Sequence, residues 1–441
     1  MLSSQEAETR SPPAVSKKSS SGIGHMFKET LRTMVRAIPG GRKVVEPLLR
    51  DMRLKFRRWM WAFKSDGGQY GIENNLLKLD PALIEFYPPA EFAYKSFKGG
   101  AMSGDWDLSN KQFDRLELYE AFDQVCKHKT KTWQETSYYK TTIQHIEAGQ
   151  EFHWCRTREE FDARCDDLSA IYESIAQKGY KSQTELGHDP EHEIAIAIGR
   201  NGQILFSDGA HRLAMAKLLG INEIPVLVSV RHPKWAAFKA QLLEFAKTQT
   251  LGSLYQQALH PDLLSIPAEH GCSDRFKIIQ ENLVPQGGKL LDIGANLAYM
   301  CHRFEDQGFD CTAIEIDETY LYFMKKLRAA ADKKFDIRFC SFLDDMEITQ
   351  QDFEVVLALN IFHHFLKEEP DYIKLIDFLK RLKANYIVFE PHLTDEPQMA
   401  NAHKNYAAEE FCAFVMEHTG MNSKARIYQA HDGREVYILS R

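Results

Sequence analysis

Two stretches of this chain set chemistry-bearing side chains beside a glycine where an apolar run turns into a helical one. The first is LFSDGAHRLAMAKLLG, residues 205–220, with Asp208, Gly209, His211 and Arg212 just ahead of the helical run. The free amides and positive dipole end of a helix start attract an anion, and arginine can clamp a phosphate with two parallel bonds. Glycine lets the backbone approach closely, and Asp208 suits either a helix cap or a metal ion bridging phosphates. A plainer account of the same residues is an N-cap at Asp208 and a surface ion pair at Arg212.

The second stretch is KLLDIGANLAYMCHRFEDQGFDCTAIEID, residues 289–317. An apolar run ends at Asp292, a turn follows at Gly294, and a second apolar run ends at Glu315. In a doubly wound sheet both run ends face one crevice, where a nucleoside-like ligand binds and the second acid can accept both ribose hydroxyls. NAD fits that outline too. Against NAD stand the position of Asp292 before the first glycine, the retention of one dinucleotide glycine out of three, with Asn296 and Ala298 at the other two places, and an expected antiparallel hairpin at the sheet's end. Further on, Asn360 ends the fourth strand of this region, His363 and His364 follow it, and Glu390 and His392 follow the fifth. Topology puts all of these on the crevice side. A hydroxyl acceptor needs a base, which these four could supply; a helix-packing histidine and a satisfied strand-end acid account for them equally well.

The elements that must hold these residues follow from the pattern. With 441 residues the chain exceeds what one core usually serves, and 44% apolar residues give ample core material. Residues 1–24 are rich in Ser, Pro and charge and read as a disordered tail. Residues 25–79 read as a basic amphipathic helical segment: His25 to Lys64 holds eleven Lys/Arg against three acids, with an apolar stripe from Val45 to Phe63. A helix docked on the next domain explains that stripe; so does an anionic membrane surface bound through residues 42–64, where Trp59 and Trp61 suit the interface. Residues 80–235 read as an α+β domain whose Asn201-Gly202 pair marks a hairpin, and residues 236–272 as a helical linker, with Trp235 to Leu259 helical. From 273 to 441 strands and helices alternate, which implies a mostly parallel seven-stranded sheet, and Asp432-Gly433 closes it with an antiparallel hairpin.

Residues 274–441, through LLDIGANLAY, AIEID, VVLALNIFHHF and the final hairpin, resemble class I S-adenosylmethionine-dependent methyltransferases. The resemblance implies a Rossmann-like fold, with Asp292 and Gly294 along the methionine part of S-adenosylmethionine, Asn296 in the turn, Glu315 on the ribose and Asn360 beside the cofactor. Asn296 and Ala298 depart from the family's glycines, but Asn tolerates a left-handed backbone and Ala is small. AIGRNGQILFSDGAHRLAMAKLLGINEIPVLV resembles the ParB/sulfiredoxin superfamily, which implies that Asp208, Gly209, His211 and Arg212 bind the phosphates of ATP, ADP or CTP with Mg2+. No cysteine lies in that corner, which disfavours reductase chemistry; phosphotransfer, hydrolysis and binding alone stay open.

Together these imply a multidomain α/β methyltransferase acting on a small-molecule or glycan acceptor, with bacterial surface-polysaccharide modification as one setting. Net charge of −7 disfavours nucleic acid. A nucleic-acid methyltransferase is the competing reading, and LNIFHH replaces the motif expected of one that methylates exocyclic amines. A scaffold that binds S-adenosylmethionine without turnover is the third. Eight scattered cysteines imply reduced thiols and no zinc site, and no apolar run approaches a membrane span, so the expected location is cytoplasmic, with peripheral attachment at the inner membrane if residues 42–64 bind it.

Overall fold

The structure, a computed structural model, describes residues 75–89, 99–270, 272–430 and 433–441. The tail at 1–24, the apolar stripe with Trp59 and Trp61, the membrane surface at 42–64 and the turn residue Asp432 lie outside the described residues. Among the described residues no helix is long and apolar enough to cross a membrane. All eight cysteines are free, seven of them buried.

The strands are β1 (Leu76–Leu79), β2 (Phe86–Tyr87), β3 (Gly100–Ala101), β4 (Lys111–Gln112), β5 (Ile194–Ile198), β6 (Ile204–Asp208), β7 (Ile224–Arg231), β8 (Leu254–Gln256), β9 (Ala268–His270), β10 (Gly288–Ile293), β11 (Phe309–Glu315), β12 (Asp336–Phe339), β13 (Asp352–Leu359), β14 (Lys383–Glu390), β15 (Ser423–Gln429) and β16 (Glu435–Ser440). The α-helices are α1 (Glu117–Phe122), α2 (Ser137–Glu147), α3 (Arg158–Lys178), α4 (Ala210–Leu218), α5 (Pro233–Thr248), α6 (Cys272–Asn282), α7 (Tyr299–Glu305), α8 (Glu318–Ala330), α9 (Glu369–Arg381) and α10 (Ala408–Thr419).

The C-terminal sheet runs β12-β11-β10-β13-β14-β16-β15, parallel except for the last two strands. This is the expected Rossmann-like order with an antiparallel end. Side chains alternate across a strand, so each face of β10 feeds a different core. Leu291 and Ile293 pack with Phe378 of α9 and Phe411 of α10, while Leu290 packs with Phe276 of α6 and Phe304 of α7. Both faces are covered, as a parallel sheet requires.

The N-terminal sheet is mixed, in the order β1-β7-β5-β6-β2-β4 with β3 also on β7. The hairpin at Asn201-Gly202 joins antiparallel β5 and β6. Two expectations are corrected. Residues 76–79, read as part of a helical segment, form β1 because they find a partner in β7. The helix read from Trp235 to Leu259 ends at Thr248, and the expected linker continues into β8 and then β9, which pair in parallel. Thr248, Thr250 and Gly252 are poor helix residues, and Gly252 takes φ +66°, which a helix excludes.

The segment 236–272 is a packed seam. Phe238 and Phe245 of α5 lie 6.1 and 5.1 Å from Phe323 of α8, ring centre to ring centre, and Gln241 accepts a bond from the Tyr322 hydroxyl. A side chain at Gly202 would meet Trp235 and Ala330 at 2.7 Å, so the β5–β6 turn also docks on α8. Fully buried Asp262 accepts two bonds from Arg231 and one each from Lys239 and Trp235, which ties the seam to the N-terminal sheet. These four donors offset the cost of burying a carboxylate and hold its pKa down to about 2.

Candidate functional site

At the end of β10 the backbone turns three times through the left-handed region, with φ of +71° at Gly294, +56° at Asn296 and +60° at Ala298. Asn and Ala therefore adopt the conformation that glycines would take. A Cβ at Gly294 would meet Ile361 Cδ1 at 2.6 Å, so a larger residue there would have to displace the Ile361 side chain as well as bear a left-handed φ. Glu315 ends β11 and reaches under this turn: its Oε2 accepts the Asn296 N–H at 2.8 Å, while Oε1 accepts those of Ile316 and Asp317. Asp292 is buried beside Cys301, whose thiol lies 3.8 Å away. Burial pushes its carboxyl up to about 7, with the negative charge of Glu315 acting in the same direction and the thiol against it.

Asn360 also has a left-handed backbone, at φ +53°. Its N–H donates to the Glu390 carbonyl at 2.9 Å and its Nδ2 to the Tyr255 hydroxyl at 3.4 Å, while its Oδ1 is buried without a partner. An orphaned buried acceptor needs a donor from somewhere, and a ligand in the crevice would supply one. Asp292, Gly294, Asn296, Glu315 and Asn360 thus gather at one edge of the sheet, as the ends of neighbouring parallel strands must.

The four residues expected to supply a base divide. Glu390 is buried, with Arg275 Nη1 3.2 Å from its Oε2. His363 is buried between His364 and His392, with ring centres 4.0 and 5.4 Å away, and neither of its nitrogens has a hydrogen-bond partner. Burial, reinforced by those two rings, holds it down at about 3, so it stays neutral at physiological pH. Burial also lowers His364, with Lys367 adding to the effect. His392 is oriented: its Nε2 lies 2.8 Å from Asn405 Oδ1, and Asn405 Nδ2 donates to the Thr394 carbonyl. That network makes Nε2 the donor and leaves the buried Nδ1, which has no partner, as the basic nitrogen.

Three contributors escaped the sequence reading. Tyr255 and Gln256 come from β8, and Gln256 Oε1 accepts the N–H of Tyr299 at the start of α7. Arg275 comes from α6. Tyr255 and Gln256 fall in the expected linker and Arg275 on the helix expected at the start of the 273–441 region, and no periodicity in either points at the crevice.

The N-terminal corner is built differently. Gly209, at φ +90°, caps α4 through its backbone, and Asp208 is exposed, its Oδ1 accepting the adjacent Gly209 N–H. Asp208 is therefore not the side-chain N-cap. Arg212 donates to the His192 carbonyl and lies 3.8 Å from buried Glu193. His211 turns inward, with Nε2 3.1 Å from the Tyr138 hydroxyl and its ring centre 4.9 Å from that of His153. Burial, with the charges of His153 and Arg164, pushes it down to about 3. A cavity of about 310 Å³ is lined by His211 and Arg212 together with Arg164 and Asp167.

No protein-family model matches this chain, and no curated protein matches it. Solved structures do. The bifunctional kinase-methyltransferase WbdD is 16% identical over 45% of this chain and 46% of that one, with a TM-score of 0.35. A protein from Pyrococcus horikoshii OT3 is 11% identical over 45% and 98%, with a TM-score of 0.32. A putative O-methyltransferase from Nostoc punctiforme PCC 73102 is 13% identical over 38% and 57%, with a TM-score of 0.31. The match spans under half the length of WbdD. Scores this low carry no functional argument; the strand order described above stands by itself.

Proposed function

We propose that the chain is an S-adenosylmethionine-dependent methyltransferase acting on an oxygen of a small-molecule or glycan acceptor, and that the Asp208–Arg212 corner binds nucleotide phosphates. The observation that carries the first part is the coincidence, at one sheet edge, of the left-handed turn at Gly294, Asn296 and Ala298 with two buried acids and an orphaned Asn360 Oδ1. S-adenosylmethionine, when bound, supplies a methyl group already activated by its sulfonium. The protein's work is then alignment and proton removal. Asp292 faces the methionine amine, Glu315 keeps lone pairs for the ribose hydroxyls while its oxygens hold the turn, and Asn360 Oδ1 accepts from the ligand. His392 Nδ1 takes the acceptor's proton, with Asn405 fixing the ring; neutral His363 is too weak a base for that and packs behind it. Calorimetric titration of S-adenosylmethionine tests the assignment: Glu315→Ala should weaken binding by about 1.5–3 kcal/mol through the loss of a charged acceptor, and unchanged affinity overturns it.

For the corner, a helix start with Arg212 and a cavity beside it supports a phosphate reading. A single exposed carboxylate such as Asp208 suits Mg2+ that takes its other ligands from phosphates and water. A thermal-shift screen with ATP, ADP and CTP in Mg2+ tests it, since a ligand bound to the native state raises the melting point.

A further inference from the structure

Trp154 is 85% exposed, on a backbone that few residues adopt. His153 and Trp154 are consecutive non-glycine residues in the left-handed region, at φ +51° and +68°. That conformation disfavours folding, and an indole left in water returns nothing for it. The turn is nonetheless fixed. Phe152 and Cys155 exchange backbone bonds of 3.0 and 2.9 Å across it, and His153 wedges inward against Phe152 and His211. A strained turn that anchors both neighbours of a tryptophan and turns the tryptophan itself to solvent is a presenting device.

What lies next to it indicates the ligand. His211, which His153 meets edge to face, lines the cavity of about 310 Å³ together with Gly209 and Arg212. Arg164 of α3 lines the same cavity, and its Nε is buried without a hydrogen-bond partner. Arg212 Nη1 stands 3.8 Å from Glu193, beyond hydrogen-bonding reach. The two guanidiniums on one cavity make an anion clamp. Asp167 on the rim and Asp208 beside it oppose a bare anion but suit one that carries a divalent cation. The volume is at the lower end of the roughly 300–1,000 Å³ of ligand pockets, which suits a phosphate chain. Trp154 follows His153 directly in the chain, and His153 meets His211 on the cavity's lining, which sets the exposed indole one residue from that wall.

We propose that this cavity holds the phosphates of a Mg2+-bound nucleotide between Arg164 and Arg212, and that Trp154 is the platform on which the nucleotide's base stacks. The proposal rests on the phosphate reading of the Asp208–Arg212 corner. Calorimetry on the full chain in Mg2+, with ATP and with inorganic tripolyphosphate as a probe lacking base and sugar, separates the two. Trp154→Ala should weaken ATP roughly five- to hundred-fold and leave tripolyphosphate unchanged. Arg164→Gln should weaken both ligands. Trp154→Gly, which relieves the left-handed strain, should hold or raise the ligand-free melting temperature while weakening ATP to the same degree, which distinguishes lost stacking from misfolding. Unchanged ATP affinity in Trp154→Ala overturns the stacking platform, and unchanged affinity for both probes in Arg164→Gln overturns the clamp. If neither probe binds the wild-type chain, the phosphate reading of the corner fails, and this inference with it.

Discussion

The two corners use one device, a strand that ends in an acid, a left-handed glycine and a helix start, yet they treat the acid in opposite ways. In the C-terminal corner Asp292 is buried under a turn with three left-handed residues, and Glu315 collects backbone amides from that turn. In the N-terminal corner Asp208 stays in water, one glycine makes the turn, and arginine side chains supply the charge. The difference lies in what each turn leaves for a ligand. Backbone and buried carboxyls make a shaped, low-dielectric slot, which supports the proposed sugar and amine contacts. An exposed acid beside two guanidiniums makes a charged, wetter rim, which supports the proposed phosphate contacts. The Asp262 cluster anchors the seam between them to the N-terminal sheet.

The largest effect should come from breaking that seam. Asp262→Ala leaves Arg231 buried without its carboxylate and should cost about 3–5 kcal/mol in chemical denaturation, weakening both corners together. A loss of under about 1 kcal/mol would show the seam to be dispensable. Next come two reciprocal variants. Glu315→Ala should lower S-adenosylmethionine affinity by about 1.5–3 kcal/mol without altering the thermal shift given by ATP, and Arg212→Ala should remove that shift without altering S-adenosylmethionine affinity. Cross-effects in calorimetry would mean that the corners act as one site.

A smaller effect follows from Asp292. Burial places its pKa near 7, so it is a carboxylate only above that pH, and under the proposed assignment S-adenosylmethionine should bind more tightly at pH 8 than at pH 6. Asp292→Asn should flatten that profile. The smallest concerns the ligand-free protein. His211 and His363 titrate near 3, and His260 and His302 near 4, all below the usual histidine range, so the unfolded chain takes up protons that the folded chain refuses as pH falls below 6.5. Stability from these groups is complete above 6.5 and is lost on acidification. Raised Asp292 works the other way between pH 4 and 7, but four groups oppose one. The melting temperature should drop from pH 7 to pH 5, and by less in His302→Phe. Because these histidines lie in both halves, a fall confined to one unfolding step would separate the two regions.

The turn at Gly294, the hairpin at Asn201-Gly202 and the alternation after residue 273 were legible because each is set by local backbone chemistry: a residue that tolerates positive φ, a two-residue turn, a period. Tyr255, Arg275 and Arg164 were not legible. Each reaches its site from a distant element, and nothing in LYQQ or in an amphipathic helix tells which neighbour it will meet. The base candidates show the same limit. Residue type made His363, His364 and His392 equal; burial then silenced His363, while Asn405 left His392 a free nitrogen.

The sequence by itself therefore determined the order of the elements, the two turns and the residue types at their ends, since these depend on neighbours a few positions apart. Only the tertiary structure decided which acid is buried, which histidine keeps its lone pair and that the expected linker is a seam. Those outcomes depend on desolvation and on partners dozens of residues away, which exist only once the chain has packed.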